Sequence, residues 1–328
     1  LRCSVCGRRD AVIYQRHTGR ALCRECFIED IVRRVKQEIE RHEMFRERDR
    51  VLLALSGGKD SYTLLDVMLR IHDPSRLGIV TIIEGIPGYN REGDIEWVIR
   101  RAREHGIDIV VTSYKEEVGY SMEELVNLTI EKGVRVTPCT FCGFLRRRII
   151  NKYAREGGYD RVATAHNLDD EAHTALMNLL RGDYARLAQM HPKAPVLSKL
   201  FVKKVKPLRK IYEWESAAYA WLTGYGFQET ECPYLRLRPS FRARVRAYMY
   251  ELEREVPGSM LKFLEAIDRL AEPLARSVSR LPELPRCEVC GEPTSYNRRV
   301  CAFCDLMARI GAEEYFRRLG TKTPATRT

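Results

Sequence analysis

The sequence predicts a doubly wound α/β domain with a mainly parallel sheet, carrying a four-cysteine zinc ribbon at each end. Three observations point there. Short apolar runs alternate with helical patterns over roughly 130 residues, as βαβ units require. The first of those runs ends on a glycine-rich loop that opens a helix. Ten of the eleven cysteines fall into Cys-x-x-Cys pairs, four of the five pairs near the chain ends.

Taken in order, Cys3, Cys6, Cys23 and Cys26 are separated by sixteen residues containing Gly7, Tyr14 and Gly19, which reads as two knuckles on a β-ribbon. Four thiolates complete one tetrahedral zinc and leave no open position, so the site is structural. Apolar residues at helical spacing predict a helix over 27–45. Buried parallel strands follow at 51–55, 79–83, 107–111 and 161–165, with helices at 62–71, 94–104, 121–131 and 144–156. The stretch 181–210 reads as irregular and basic; helices resume at 213–223, 241–255 and 260–279. After the Pro-rich linker 281–285, Cys287, Cys290, Cys301 and Cys304 repeat the first metal-binding design with a ten-residue spacer. The expected organisation is a zinc ribbon over 1–28, a linking helix over 29–50, the α/β domain over 51–232, a helical extension and linker over 233–286, and a second ribbon with its tail over 287–328.

No apolar run approaches the roughly 20 residues of a membrane span, and the first residues lack a signal-peptide core, so a soluble cytoplasmic protein with no membrane partner is expected. An uneven cysteine count and a cytosolic setting argue against a disulfide framework. Lys plus Arg exceed Asp plus Glu by 56 to 45, a formal +11 that favours a polyanionic partner.

The first strand runs into Ser56, Gly57, Gly58, Lys59, Asp60 and Ser61. Two glycines permit a tight turn that presents backbone N–H groups to an anion, the following helix N-terminus adds partial positive charge, and Lys59 neutralises phosphate. This phosphate cradle is not the Walker pattern. It resembles the S-G-G-x-D-S signature of the PP-loop family, which cleaves ATP between its α and β phosphates to activate a carbonyl oxygen. Asp60 fits either a magnesium ligand or a helix cap.

Cys139 and Cys142 precede the helix expected at 144, and Cys232 stands alone some 90 residues on. Three thiolates suit a [4Fe–4S] cluster with one open iron, a zinc ion with a water, or a redox pair beside a buried thiol. The spacing leaves all three open. The PP-loop, the 138–143 segment followed by Arg146, Arg147 and Arg148, the 165–171 segment, the Glu231-Cys232-Pro233 segment and both cysteine modules together resemble the tRNA 2-thiouridine synthetases. That group includes TtuA, the archaeal and eukaryotic wobble-uridine thiolation enzymes and, more distantly, the 2-thiocytidine enzyme TtcA. The resemblance implies cluster ligation by Cys139, Cys142 and Cys232, sulfur carried on the fourth iron, and ATP contacts at Ala54, Leu55, Ser56, Asp60, Ile82, Arg146 and Ala165. Relatives of TtuA often carry Lys in place of Arg146 and Gly in place of Ala165, whose methyl here would crowd the nucleoside.

Asp170 matches the family's proposed catalytic position, holding magnesium or a proton; Asp169 reads as a helix N-terminal group. His166 fits a phosphate contact or a structural hydrogen bond, and His173 a structural role. Basic clusters at Arg146–Arg148, at 203–210 and at Arg236, Arg238, Arg242, Arg244 and Arg246 are expected to face tRNA, together with Tyr248 and Tyr250. The expected activity is ATP-dependent 2-thiolation of a tRNA uridine, with position 34 favoured over position 54 and with ATP, Mg²⁺, a [4Fe–4S] cluster and two Zn²⁺ as cofactors. The resemblance implies a ubiquitin-like thiocarboxylate carrier or free sulfide as the sulfur source; a homodimer is left open. The rival readings are another PP-loop ATPase acting on tRNA, of lysidine-synthetase or 2-thiocytidine type, and a non-catalytic zinc-ribbon RNA-binding protein.

Overall fold

Strand residues alternate between two faces, and in the central strands of this sheet both faces are apolar because both are covered by helices. The computed structural model describes residues 1–89, 92–226, 232–235, 241–278 and 281–324. Its elements begin with the hairpin β1 (Ile13–Gln15) and β2 (Arg20–Leu22), then α1 (Arg24–His42), β3 (Val51–Ala54), α2 (Lys59–Ile71), β4 (Leu77–Ile83), α3 (Glu92–Glu104) and β5 (Asp108–Ser113). There follow α4 (Tyr114–Val118), α5 (Met122–Glu131), α6 (Pro138–Glu156), β6 (Arg161–Thr164), α7 (Leu168–Leu180), α8 (Tyr184–Met190) and β7 (Lys203–Val205). The chain continues through α9 (Glu213–Leu222), α10 (Phe241–Glu255), α11 (Ser259–Val278), α12 (Ala302–Arg309) and α13 (Glu313–Arg318).

The central sheet has the order β5-β4-β3-β6-β7, and every pairing in it is parallel. The chain winds from β3 outward to β5, then crosses back to β6 on the other side. The crevice between the carboxyl ends of β3 and β6 is therefore the topological switch point, where doubly wound folds bind ligands. Val51, Leu53, Ile79 and Ala163 point into one layer of core with α1, α2, α3 and α9; Leu52, Val80 and Val162 point into the other with α4, α5 and α6.

Each four-cysteine module is built into one of these layers. Cys3, Leu22, Cys23 and Cys26 join the first core, and Cys287, Cys301, Phe303 and Cys304 the second. The two modules share a local design: Cys23 is the N-cap of α1 with Cys26 three residues on, and Cys301 caps α12 with Cys304 three residues on. Helix N-termini stabilise thiolates, so the spacing that suits a metal also suits the helix dipole.

The expected strands and helices are present with shifts of a few residues, and two segments differ. The helix expected from 144 begins at Pro138, whose ring sits in the first turn, so Cys139 and Cys142 lie on the helix instead of before it. The stretch 181–210 contains α8 and the edge strand β7. A three-residue strand rich in lysine shows no period-two pattern long enough to read; its pairing with β6 creates it. Among the described residues, no helix is long and apolar enough to cross a membrane.

Candidate active site

The loop after β3 is held from within and from behind. The Ser56 amide donates to Ser61 Oγ at 2.9 Å, and the two hydroxyl oxygens lie 3.1 Å apart. Gly57 has φ +85°, and an added Cβ would stand 2.7 Å from Asp94 Cβ, so both the backbone and the available space require glycine here. The Tyr225 hydroxyl donates to the Gly57 carbonyl at 2.5 Å, with its ring stacked on Tyr62 at 4.4 Å. A trans peptide sets its C=O and N–H on opposite sides, so tying down the Gly57 carbonyl aims the Gly58 N–H the other way.

Lys59 lies 3.2 Å from Glu213 Oε1 and 3.5 Å from Asp60 Oδ2. The second oxygen of Glu213 accepts from Tyr250 and from Arg246, which lies at 3.2 Å. Burial would raise the Glu213 carboxyl, but Tyr250, Lys59 and Arg246 outweigh it and hold Glu213 ionised. Asp60 accepts from Asn167 Nδ2 at 3.3 Å, joining the loop after β3 to the loop after β6, and its carboxyl is raised by burial.

Asn167, not Asp169, caps α7, accepting from the Asp170 amide at 3.0 Å. Asp169 instead accepts the Glu213 amide at 2.8 Å and so serves the N-terminus of α9. Burial, with the neighbouring charges of Glu213 and Asp170, lifts its pKa to about 7 despite that hydrogen bond. Asp170 opens into the crevice, its carboxyl raised by its recessed position and opposed by Arg242 at 3.9 Å. His166 hydrogen-bonds Thr164 at 2.8 Å, and burial lowers its pKa to about 4. His173 is buried edge-on to Tyr250 and is likewise lowered by burial to about 4.

The thiol site lies beside this crevice. Cys139 and Cys142 occupy the first turns of α6, where Cys139 is exposed and Cys142 turns inward with its thiol pushed up to about 11 by burial. Cys142 and Cys232 both stand close enough to Tyr234 to raise its phenol, though burial does more. The Tyr114 hydroxyl is buried beside Cys142 with no partner at bonding geometry. From the other side Arg146 reaches back to Glu84, at the end of β4, at 2.8 Å through Nε. Within each terminal module the four sulfur atoms lie within 4.8 Å of one another, as one zinc requires; the three core sulfurs form no such compact group. Thiolates are the ligands of iron–sulfur clusters, and the chemistry of Cys139, Cys142 and Cys232 fits such a group.

Comparison with known proteins then decides the family. A model described as PP-loop domain matches residues 28–250, and one described as the N-terminal LIM domain of the 2-thiouridine synthetase TtuA matches residues 2–28. A tRNA-5-methyluridine(54) 2-sulfurtransferase of Thermus thermophilus is 37% identical over 306 residues, spanning 92% of this chain and 89% of that protein. The cytoplasmic tRNA 2-thiolation protein 1 of Aspergillus niger is 33% identical over 93% of this chain and 87% of its own length. The solved U34-tRNA thiolase NcsA of Methanococcus maripaludis, with its [4Fe–4S] cluster, superposes with a TM-score of 0.73 at 30% identity, covering 100% of this chain and 99% of that one. The chain belongs to the PP-loop tRNA 2-sulfurtransferase family.

In this family member the crevice brings together Ala54, Leu55, the whole 56–61 loop, Ile82 and Ala165 at the carboxyl ends of β3, β4 and β6. Sequence reasoning missed Glu213, Tyr225, Asn167, Glu84 and Tyr114, whose places in the site depend on tertiary contacts. The basic runs also divide. Arg146 pairs with Glu84, and Arg148 reaches Cys290 Sγ at 3.2 Å. Lys206 pairs with buried Glu171, and Lys210 lies 3.5 Å from Glu265. Arg209, 1% exposed, bridges Glu38 on α1 and Asp268 on α11. Each of these side chains has a partner within the protein. Arg236 and Arg238 lie outside the described residues.

Proposed function

We propose that the protein is an ATP-dependent tRNA uridine 2-sulfurtransferase with position 34 as its target. The observation that carries this reading is a phosphate cradle after β3 together with the thiols at the head of α6, whose Arg146 reaches Glu84 just past β4, the strand paired with β3. The Gly57–Gly58 backbone, Ser56, Ser61 and Lys59 bind and orient the ATP phosphates. Asp60 and Asp170, whose charges act on each other, would hold Mg²⁺, which when bound would neutralise phosphate charge. Attack of the uridine C2 oxygen on the α-phosphorus releases pyrophosphate and leaves an O-adenylated base. A sulfide nucleophile then adds at C2, and the C2–O bond breaks with AMP as leaving group; no oxidant or reductant is needed. Cys139, Cys142 and Cys232 hold the cluster, which when bound supplies an iron without a protein ligand for the incoming sulfur. The two terminal modules hold one Zn²⁺ each.

The sulfur source we favour is a ubiquitin-like thiocarboxylate, whose acyl–sulfur bond is hydrolysed by water to leave the carrier's carboxylate and give up sulfide, with free sulfide as substitute. Position 34 follows the full-length likeness to the U34-tRNA thiolase; the 37% identity to a position-54 enzyme is the observation for the second reading. The test is anaerobic reconstitution with iron and sulfide, then ATP and unmodified tRNA, with mass spectrometry of nucleosides and of the mapped fragment. 2-Thiouridine at position 34 and one AMP per thiolation are expected. No 2-thiouridine with the cluster verified overturns the reading, and thiolation confined to the T-loop moves the site to 54.

A further inference from the structure

Within the basic runs, Arg147, Lys203, Lys204 and Arg244 form no ion pair among the described residues, and two of them belong together. Arg147 of α6 and Lys204 of β7 are both exposed and, among the described residues, neither forms an ion pair. The fold places them together. One turn along α6 from Arg147, Asn151 donates to the Leu200 carbonyl at 2.7 Å and accepts from the Val202 amide at 2.9 Å. Residue 147 shares a helix face with 151, and residue 204 shares a strand face with 202. Because α6 runs against the strands, stepping from 151 to 147 and from 202 to 204 moves in the same direction, toward the carboxyl edge of the sheet where the crevice opens. Lys203 faces the other way, toward Arg161 and Lys193.

The charges acting on this pair are positive, although Lys206 and Arg186 also have carboxylate partners, Glu171 and Asp183. Lys204 is accessible yet recessed, and its pKa is lowered to about 8 by that desolvation and by Arg147 and Lys206. Arg147 is lowered by desolvation and by Arg186 on α8, which itself pairs with the N-cap residue Asp183 at 3.2 Å. Like charges held together without a carboxylate raise the energy of the free protein and are relieved by a bound anion.

We propose that Arg147 and Lys204 form a phosphodiester-binding site that seats the tRNA backbone next to the nucleotide entering the crevice. This deepens the tRNA reading above and rests on it. The site differs from the ATP cradle, which lies after β3 and uses Lys59. It places one phosphate contact on each side of the groove between α6 and β7, and so sets the register of the RNA while reading no base.

The test uses full-length zinc-loaded protein, unmodified tRNA and fluorescence anisotropy between 50 and 300 mM salt. The Arg147→Ala/Lys204→Ala variant is expected to weaken tRNA binding about tenfold near 150 mM and to reduce the log–log salt slope by roughly 1.5, close to the 0.7–0.9 per lost phosphate contact. ATP affinity should be unchanged, which separates an RNA phosphodiester from the nucleotide's own phosphates. An equal loss of ATP affinity, or a salt slope equal to wild type, overturns the proposal. If the double variant does not fold, the single variants decide: a slope reduced by nearly one in each supports the site, and unchanged slopes in both remove it. Failure of wild-type protein to bind tRNA at all overturns the tRNA reading itself, a different result from a normal wild type with an indifferent variant.

Discussion

Asp169 and the histidines His166 and His173 shift in opposite senses, and together they set the acid response of the crevice. Each histidine is held near 4 by burial, so the unfolded chain takes up its protons first as pH falls below about 6.5, and stability drops between about 6.5 and 4. Asp169, raised to about 7, is protonated in the folded state while still ionised in the unfolded one, so it contributes stability at low pH that is lost as pH rises toward 7. The two effects offset each other over the same window. Asp169→Asn keeps an acceptor for the Glu213 amide and removes the opposing proton. Urea unfolding from pH 4.5 to 6.5 should then show an acid loss steeper by roughly 1.4 kcal/mol per pH unit; an unchanged slope would place the Asp169 pKa near its ordinary value.

At the scale of single elements, the loop after β3 and the head of α6 are each positioned by residues far away in sequence. Tyr225 ties the Gly57 carbonyl from beyond the end of α9. Replacing it with Phe removes one hydrogen bond worth about 1 kcal/mol, and KM for ATP should rise roughly fivefold with kcat nearly constant. An equal fall in kcat would mean that the bond serves the reaction step and not loop orientation. The α6 turn offers a sharper contrast. Cys232→Ala should abolish thiolation and cluster absorbance while leaving two zinc ions per chain and tRNA affinity intact; retained thiolation would refute the three-cysteine assignment. The 51–61 strand and loop were legible in the sequence because an apolar run, two glycines and a helical pattern are all local. The start of α6 was not, because Cys-Thr-Phe-Cys-Gly has weak helix propensity and is helical through Pro138 at its first turn and the packing of Phe141 and Leu145.

For the whole molecule, the formal +11 overstates what is available to RNA. Two zinc sites at about −2 each and a three-thiolate cluster at about −1 would lower it to roughly +6, and several basic side chains are spent inside the protein. Arg209 is the extreme case. Arg209→Ala would leave Glu38 and Asp268 buried without their partner and should cost roughly 3–5 kcal/mol, lowering the thermal midpoint while the salt slope of tRNA binding stays constant. Arg147 and Lys204 should show the reverse pattern. The zinc modules belong to the same scale. Since Cys304 lies in the core that contains Val80 and Leu145, Cys304→Ala should destabilise the central domain and not merely release the C-terminal residues. Hydrogen exchange would show this as lost protection in β4 and α6; loss confined to residues beyond 286 would count against it.

By itself the sequence determined the parallel α/β sheet, the phosphate loop, the two terminal four-cysteine modules and the family resemblance. Each of these is written in spacing and periodicity, which are properties of neighbouring residues. Only the tertiary structure decided which charges are free. Whether an arginine meets Glu84, Asp268 or open solvent depends on elements up to a hundred or more residues apart, and no local pattern distinguishes Arg147 from Arg146 and Arg148 on either side of it. The same holds for β7, Tyr225 and Glu213, whose roles arise when the sheet closes and brings remote side chains to the edge where β3, β4 and β6 end.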